Sequence, residues 1–399
     1  MNQQQTRKVL IVGGGFGGVK TALELVDDPR FSITLISGDD SLRYYPTLYH
    51  TATGGKYSNS SIPYSLIFDR KHIELIKDLA TTIDRKLKTV TTESGTTYEY
   101  DDLIIGLGVV TNYFNIPGME EFSYSIKSQS EVARFKTHLH QQLITDHQAD
   151  LNYIIVGAGP TGIELAGALP GYLHQIMRNH HVRNKKVHVD LVEAAPTLLP
   201  RLPKKASKRV SKQLKKLGVT VYTASAVQGE STDSLTVNGH SIPSHTVVWT
   251  AGVMNHPFFT ANNFSIMNRG KVGVDVYLRA DDNIYVIGDN ANTPYSGLAQ
   301  TAIADGIFVA SNLKRLADGK DLKPYKPKKP ISIIPAGPHW AAVMWGSVTF
   351  YGKAGWVLRE LADIIGFHDL EPWPKAAKQW LSEFSEQDDC PVCNVVRNS

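Results

Sequence analysis

The chain opens on a short apolar run, Lys8-Val-Leu-Ile-Val12, that breaks at once into Gly13-Gly-Gly-Phe-Gly-Gly18. Apolar positions then recur at helical spacing over Val19–Val26, and a second strand-like run follows at Ser32–Ser37. Strand, glycine turn, helix and strand make one βαβ unit. Thr89–Thr97 alternates like a hairpin turned at Ser94-Gly95, and Leu103–Gly108 reads as a buried strand. The same order then restarts: strand Tyr153–Val156, turn Gly157-Ala-Gly-Pro-Thr-Gly162, a helix from Ile163, strand Val187–Glu193. Pro170-Gly171 should kink or stop that helix early. Val247–Val253 is the late strand of the second unit, corresponding to Leu103–Gly108 in the first. Asn283–Gly288 is a further strand, Ala299–Leu316 a helix, and Lys314–Lys329 a basic, proline-containing surface linker.

The expected fold is therefore α/β, with two nested Rossmann-like units and a C-terminal segment of different character. The first unit takes residues 1–118 and 266–330, the second 119–265, and the C-terminal module 331–399.

The two glycine turns carry the first chemical signal. Gly13, Gly15 and Gly18, with Phe16 between them, form G-x-G-x-x-G directly after a strand and at the start of a helix. The first glycine allows the tight turn, the second lets a pyrophosphate approach the backbone, and the third lets helix and strand pack closely. The helix N-terminus supplies N–H groups and partial positive charge for phosphates. Gly157, Gly159 and Gly162 repeat the motif in the same context. One copy could be an ordinary loop; two between strands and helices point to two dinucleotides. Glu193 closes the second strand of the second unit, where a carboxylate accepts from a ribose 2′-OH and repels a 2′-phosphate, so NADH is expected over NADPH. The equivalent place in the first unit is Ser37, with Asp39 and Asp40 just beyond.

Composition narrows the class. The 399 residues carry a net charge of only +4, which gives no nucleic-acid signature. No run reaches the roughly 18 apolar residues of a membrane span, and Val9–Val12 is too short for a signal peptide, so a cytoplasmic location is expected. The two cysteines are Cys390 and Cys393, so the body of the chain has no thiol for a flavin-linked disulfide. A C-x-x-C pair supplies too few ligands to close a zinc site, and no metal is expected.

In motifs and in their order, the chain resembles the two-dinucleotide-domain flavoproteins, and most of all the type II NADH dehydrogenases, the non-pumping NADH:quinone oxidoreductases. The matching residues are Val12–Gly18, Pro46-Thr-Leu-Tyr49 with Ala52-Thr-Gly54, Tyr100–Gly108, Asn112–Gly118, Val156–Glu164, Trp249-Thr-Ala-Gly-Val253 (with Gly252), Ile287-Gly-Asp-Asn290 and Ala299-Gln300. The resemblance implies FAD on the first glycine turn and NADH on the second. It places Pro46, Gly108, Gly252 and Gly288 at the cofactors, a backbone contact to the adenine half of FAD at Ala80, and a hydrogen bond to the ribityl chain at Asp289. Glu164 is implied beside the nicotinamide–flavin stack, where it orients NADH or handles a proton. The helix beginning at Ala299 would stabilise reduced flavin with its N-terminus, and Gln300 would lie near the quinone. The family's second glutamine is replaced here by Ala304, with Asp305 beside it.

Five of the six tryptophans follow residue 339, an enrichment typical of a bilayer interface. Val357, Leu361, Ile364 and Ile365 share a helical face, with Arg359, Glu360 and Asp363 opposite; Trp380, Leu381 and Phe384 mark a second short stretch. Lys320, Lys323, Lys326, Lys328 and Lys329 would favour an anionic leaflet. The expectation is a peripheral anchor on the inner face of the cell membrane, the alternative a dimerisation or core-covering subdomain. Two other functions stay open: a disulfide reductase that uses Cys390 and Cys393 as a shuttle, and an NADH-sensing flavoprotein.

Overall fold

The computed structural model describes residues 6–145 and 150–382. Phe384, Cys390 and Cys393 lie outside the described residues. In chain order the elements used below are β1 (Arg7–Val12), α1 (Phe16–Leu25), β2 (Phe31–Ser37), β3 (Glu74–Lys77), β4 (Asp102–Ile105), β5 (Asp150–Val156), α2 (Pro160–Asn179), β6 (Lys186–Val192), α3 (Lys204–Lys216), β7 (Val219–Tyr222) and β8 (Thr246–Trp249). They continue with β9 (Ile284–Val286), α4 (Ala299–Ala317), β10 (Ser332–Pro335), β11 (Ala341–Trp345), β12 (Val348–Gly352), α5 (Lys353–His368) and α6 (Trp373–Ser382).

Two separate sheets carry the two units. The first runs β9-β4-β1-β2-β3, all parallel, with Arg279–Asp281 added antiparallel outside β9. The second runs β7-β6-β5-β8, also all parallel. In both, the strand that feeds the glycine turn lies inside the sheet, where the order reverses. Such a reversal opens a crevice at the carboxyl ends of the strands. The strands are apolar on both faces because both are covered: in the first sheet α1 and α4 pack on the side of Val9 and Ile11, and Val90, Tyr100 and Phe264 pack on the side of Leu10 and Val12; Leu103, Ile104 and Ile105 of β4 are fully buried.

Two sequence expectations change. Pro170 neither stops nor shortens α2, which runs on to Asn179. Proline removes one backbone hydrogen bond, but Leu169, Tyr172, Leu173 and Ile176 around it are buried in the core and hold the helix. The return to the first unit also comes earlier than residue 266. Phe258, Phe259 and Phe264 pack with Leu10, Val12 and Ile36 of the first unit.

The C-terminal module joins both cores. β10, β11 and β12 form an antiparallel sheet whose Ile334, Ala342 and Met344 extend the core of the second unit. Phe367 of α5, Ala376 of α6 and Leu370 between them enter the core of the first, where Phe367 stacks on Tyr44 at 4.3 Å.

In α5 the usual burial is reversed. Val357, Leu361 and Ile365 are 50%, 54% and 53% exposed, whereas Glu360 and Asp363 are buried. The buried charges are paired locally: the Arg359 guanidinium reaches Glu360 and Asp363, each at 2.8 Å, and the Trp380 indole N–H donates to Glu360 at 3.2 Å. Pairing of this kind is what makes burial of charge tolerable.

Candidate active site

The two glycine turns have the same geometry. Gly13 and Gly157 have φ of 112° and 103°, a left-handed conformation that side chains disfavour. A Cβ on Gly13 would lie 2.3 Å from the Gly106 carbonyl oxygen, and one on Gly157 2.5 Å from Ala251 Cα. On Gly18 and Gly162 it would lie 2.0 and 1.8 Å from the carbonyl oxygens of Gly13 and Gly157. The middle glycines differ: a Cβ on Gly15 comes no nearer than 4.0 Å to any of its nearest neighbours, and one on Gly159 meets nothing within 4 Å. Gly15 and Gly159 are also the N-caps of α1 and α2, with no side-chain cap and no acid in the first turn. Each turn is thus open on the side where helix N–H groups point, as a bound pyrophosphate requires.

At the end of β2, Ser37 Oγ and the Tyr64 hydroxyl are 3.1 Å apart, and Tyr64 donates to the Gly14 carbonyl at 2.8 Å. Burial pushes the Tyr64 hydroxyl up to about 12, so it remains a donor. A pocket of about 430 Å³ opens here, lined among others by Ser37, Asp39, Asp40, Tyr64 and Lys77. Asp39 pairs with Arg43 at 2.8 Å and Asp40 with Lys77 at 3.1 Å. At the end of β6, the Glu193 carboxylate accepts from the Ala158 N–H at 2.6 Å and from the Ala195 N–H at 2.8 Å. Glu193 therefore braces the second glycine turn from the position expected of the ribose acceptor.

Asp289 sits in the turn Gly288–Asn290 at the end of β9. Burial raises its carboxyl above the usual range, and Lys271 opposes the rise. The Lys271 ammonium donates to the Asp289 carbonyl at 2.9 Å and to Ser296 Oγ at 2.6 Å. Asn290 clasps Gly108, accepting from its N–H at 2.8 Å and donating to its carbonyl at 2.6 Å. Gly252 is held against the segment Asn112–Gly118, where a Cβ would lie 2.5 Å from the Asn112 carbonyl oxygen. Ala80 begins the strand Ala80–Asp84, and Pro46 lies in the single turn Tyr45–Thr47. Phe16 is buried against Tyr44, 5.5 Å between ring centroids.

Sequence reasoning named Asp305 but gave it no role. It is fully buried on α4, and its Oδ2 accepts from the Gly288 N–H at 2.9 Å. Its Oδ1 accepts from the Tyr325 hydroxyl at 2.5 Å. The signal available in the sequence was a charged residue among the apolar positions of α4.

Glu164 is half-buried on α2, and burial raises its carboxyl to about 8. Arg359 favours its charged form and Asp363 disfavours it, so α5 of the C-terminal module faces α2 just past its first turn. Gln300 turns to the same module: its amide nitrogen donates to the Ile331 carbonyl at 3.4 Å, and its oxygen accepts from the Ile331 N–H at 3.2 Å. Ala299 starts α4 behind Leu298, an N-cap with no side-chain hydrogen bond.

Residues 7–306 match the family described as pyridine nucleotide-disulphide oxidoreductase. The chain belongs to this family. Among curated relatives, the type II NADH:quinone oxidoreductase of Staphylococcus aureus is 26% identical over 384 residues, covering 90% of this chain and 95% of its own. The solved structure of NDH2 from Plasmodium falciparum in complex with NADH superposes with a TM-score of 0.86 at 16% identity, covering 95% of this chain and 98% of that one. The sulfide:quinone oxidoreductase of Aquifex aeolicus gives 0.76 at 20% identity, covering 96% and 98%. At these coverages both structural likenesses extend past residue 306. The thiol chemistry in the family's description has no residues to act through between residues 1 and 389, where the chain has no cysteine.

Proposed function

We propose that the chain is an NADH:quinone oxidoreductase that carries FAD, pumps no protons and works from the membrane surface. The observation that carries this reading is the pair of matching pyrophosphate cradles in a body without a thiol, covered by a module whose outward face is apolar. The names of the relatives agree with it. Gly15, Ala80 and Asp289 are among the residues that would hold FAD, which would supply the hydride- and electron-accepting chemistry between NADH and the quinone.

The chain's own residues supply binding, orientation and a proton. The backbone at Gly15, with the α1 N-terminus, would hold the FAD pyrophosphate, and Ser37 and Ala80 would hold its adenosine half. Asp289, kept in place by Asp305 and Lys271, accepts from the ribityl chain. Gly159 and the α2 N-terminus hold the NADH pyrophosphate, and Glu193 selects the unphosphorylated ribose. The overall balance is NADH, one proton and quinone to NAD⁺ and hydroquinone. Glu164, which burial keeps protonated near neutral pH, holds a proton at the point where α2 meets Arg359 and Asp363. Gln300 and Ala299 border the quinone side.

The stripe Val357, Leu361 and Ile365, with exposed Trp373 and Leu381 on α6, faces the bilayer interface. Among the described residues no helix is long and apolar enough to cross a membrane. We place the docking in-plane, on the inner face of the cell membrane.

The test is steady-state NADH oxidation by flavin-loaded protein with a soluble short-chain quinone or with a small disulfide as acceptor. Quinone should support turnover, and Cys390→Ser with Cys393→Ser should leave it unchanged. Turnover with the disulfide alone, abolished by the double substitution, would replace this reading with the disulfide reductase. No turnover with either acceptor, despite NADH bleaching of the flavin, would favour a sensor.

A further inference from the structure

Helix α3 of the second unit has a charge pattern that neither dinucleotide explains. Its thirteen residues hold Lys204, Lys205, Lys208, Arg209, Lys212, Lys215 and Lys216, and no acid. All seven cations are exposed, while Ala206, Val210 and Leu214 are buried beneath them. Among the described residues none of the seven makes an ion pair. Cations four apart, such as Lys204, Lys208, Lys212 and Lys216, repel along one face. A solvated helix ordinarily relieves this with acids at the same spacing, and α3 has none.

Position adds to composition. The Arg209 guanidinium lies over the Tyr351 ring, 5.6 Å from its centroid, which ties α3 to β12. Leu217, just past α3, faces Gly337 before β11, where a Cβ would lie 2.4 Å from its Cδ1. At the tip of the β11–β12 hairpin, Trp345 and Val348 pair in register, 56% and 53% exposed. Tyr351 is three residues from Val348, about 10 Å along a strand. The cationic helix is therefore tied through Arg209 to the hairpin whose tip is aromatic, aliphatic and exposed, and that hairpin packs against α5 with its exposed stripe. Cations beside an apolar edge are the arrangement that binds an interface of acidic headgroups over hydrocarbon.

We propose that α3 is a docking face for anionic phospholipid, which sets the second unit against the bilayer alongside the C-terminal module. The proposal rests on the membrane-docking reading above and adds to it that the charge selectivity resides in the second unit, not in the linker lysines Lys326, Lys328 and Lys329.

Binding is measured by co-sedimentation of flavin-loaded protein with vesicles of phosphatidylcholine alone or with one-third phosphatidylglycerol, at about 0.1 M salt. Lys208→Glu, Lys212→Glu and Lys215→Glu are combined in one variant, and Lys326→Glu, Lys328→Glu and Lys329→Glu in another of equal net charge. Flavin content and turnover with a soluble quinone report that each is folded. Each cation near an anionic surface is worth about fivefold in affinity. The α3 variant should lose at least about thirtyfold on the anionic vesicles and keep its weak binding to the neutral ones, with the linker variant within about threefold of wild type. Wild-type affinity in the α3 variant, or equal losses in both, overturns the proposal while leaving docking intact. Wild type that binds neither vesicle overturns docking itself, and this inference with it. Tighter wild-type binding to a DNA duplex than to the anionic vesicles would assign α3 to nucleic acid instead.

Discussion

Asp305 accepts a hydrogen bond of 2.5 Å from the hydroxyl of Tyr325, a residue of the irregular linker that follows α4. The other oxygen of the same carboxylate takes the Gly288 N–H, so the linker is tied through one buried side chain to the turn that presents Asp289. Burial holds the Asp305 carboxyl at about 6, and the Tyr325 bond opposes that rise. Because the folded value is raised above the ordinary 3.8, stability from this group is present at low pH and is lost as pH rises through about 6. Tyr325 offsets part of the loss on the alkaline side. Tyr325→Phe should therefore cost about 1.5–3 kcal/mol at pH 7.5, the range for a hydrogen bond to a charged group, and less at pH 5. Urea unfolding at the two pH values reads this, and stopped-flow flavin release should be faster in the variant. Equal destabilisation at both pH values would mean that Tyr325 acts by packing alone.

The glycine turns give a test that separates binding from folding. Gly15 has room for a Cβ and Gly18 has none, since its Cβ would sit 2.0 Å from the Gly13 carbonyl oxygen. Gly15→Val should fold with native-like circular dichroism yet purify colourless, because the side chain occupies the pyrophosphate approach. Gly18→Val should yield little soluble protein at all. Gly159→Val should retain FAD and raise the KM for NADH at least tenfold. Yellow Gly15→Val protein with full flavin content would displace FAD from the first turn.

The βαβ units were legible because each is written locally: a buried strand, three glycines at fixed spacing and an amphipathic helix lie within a few tens of residues. What was not legible depends on contacts distant in sequence. Pro170 reads as a helix breaker, yet the burial of Tyr172, Leu173 and Ile176 carries α2 past it. Periodicity identified two faces on α5 but not which is outward, since that is decided by the pairing of Arg359 with Glu360 and Asp363. The bracing of Gly288 by Asp305 needs α4 folded back onto the first sheet, which no local pattern states. Glu193 was placed by its strand position, but its bonds to Ala158 and Ala195 were out of reach of the sequence.

Those bonds give Glu193 two roles that substitution can separate. Glu193→Gln keeps an acceptor for one N–H and removes the charge that repels a 2′-phosphate. Glu193→Ala removes both acceptors and leaves two N–H groups to find water. Both should raise kcat/KM for NADPH relative to NADH by at least tenfold. Glu193→Ala alone should lose about 1–3 kcal/mol of stability by urea unfolding. Unchanged nucleotide preference in both variants would leave Glu193 as a brace of the turn and nothing more.

Glu164 offers a pH signature in two independent measurements. Its carboxyl is raised from 4.5 to about 8, first by burial and then by Asp363, with Arg359 opposing. A folded value above the unfolded one means that stability from this group is full below about pH 4.5 and is lost as pH rises through about 8. Glu164→Gln, neutral at every pH, removes the loss, so its melting temperature should match wild type near pH 5 and exceed it increasingly up to pH 8.5. Activity should move the other way. If the protonated carboxyl supplies a proton during quinone reduction, wild-type kcat with a soluble quinone falls above pH 8, whereas Glu164→Gln is slower and lacks that limb. The rate of flavin bleaching by NADH, measured separately, should change little. Arg359→Met should shift both wild-type limbs to higher pH, because it removes the cation that favours the carboxylate. A kcat profile in Glu164→Gln that keeps the alkaline limb at the wild-type position would assign the titration to another group and leave Glu164 with a structural role.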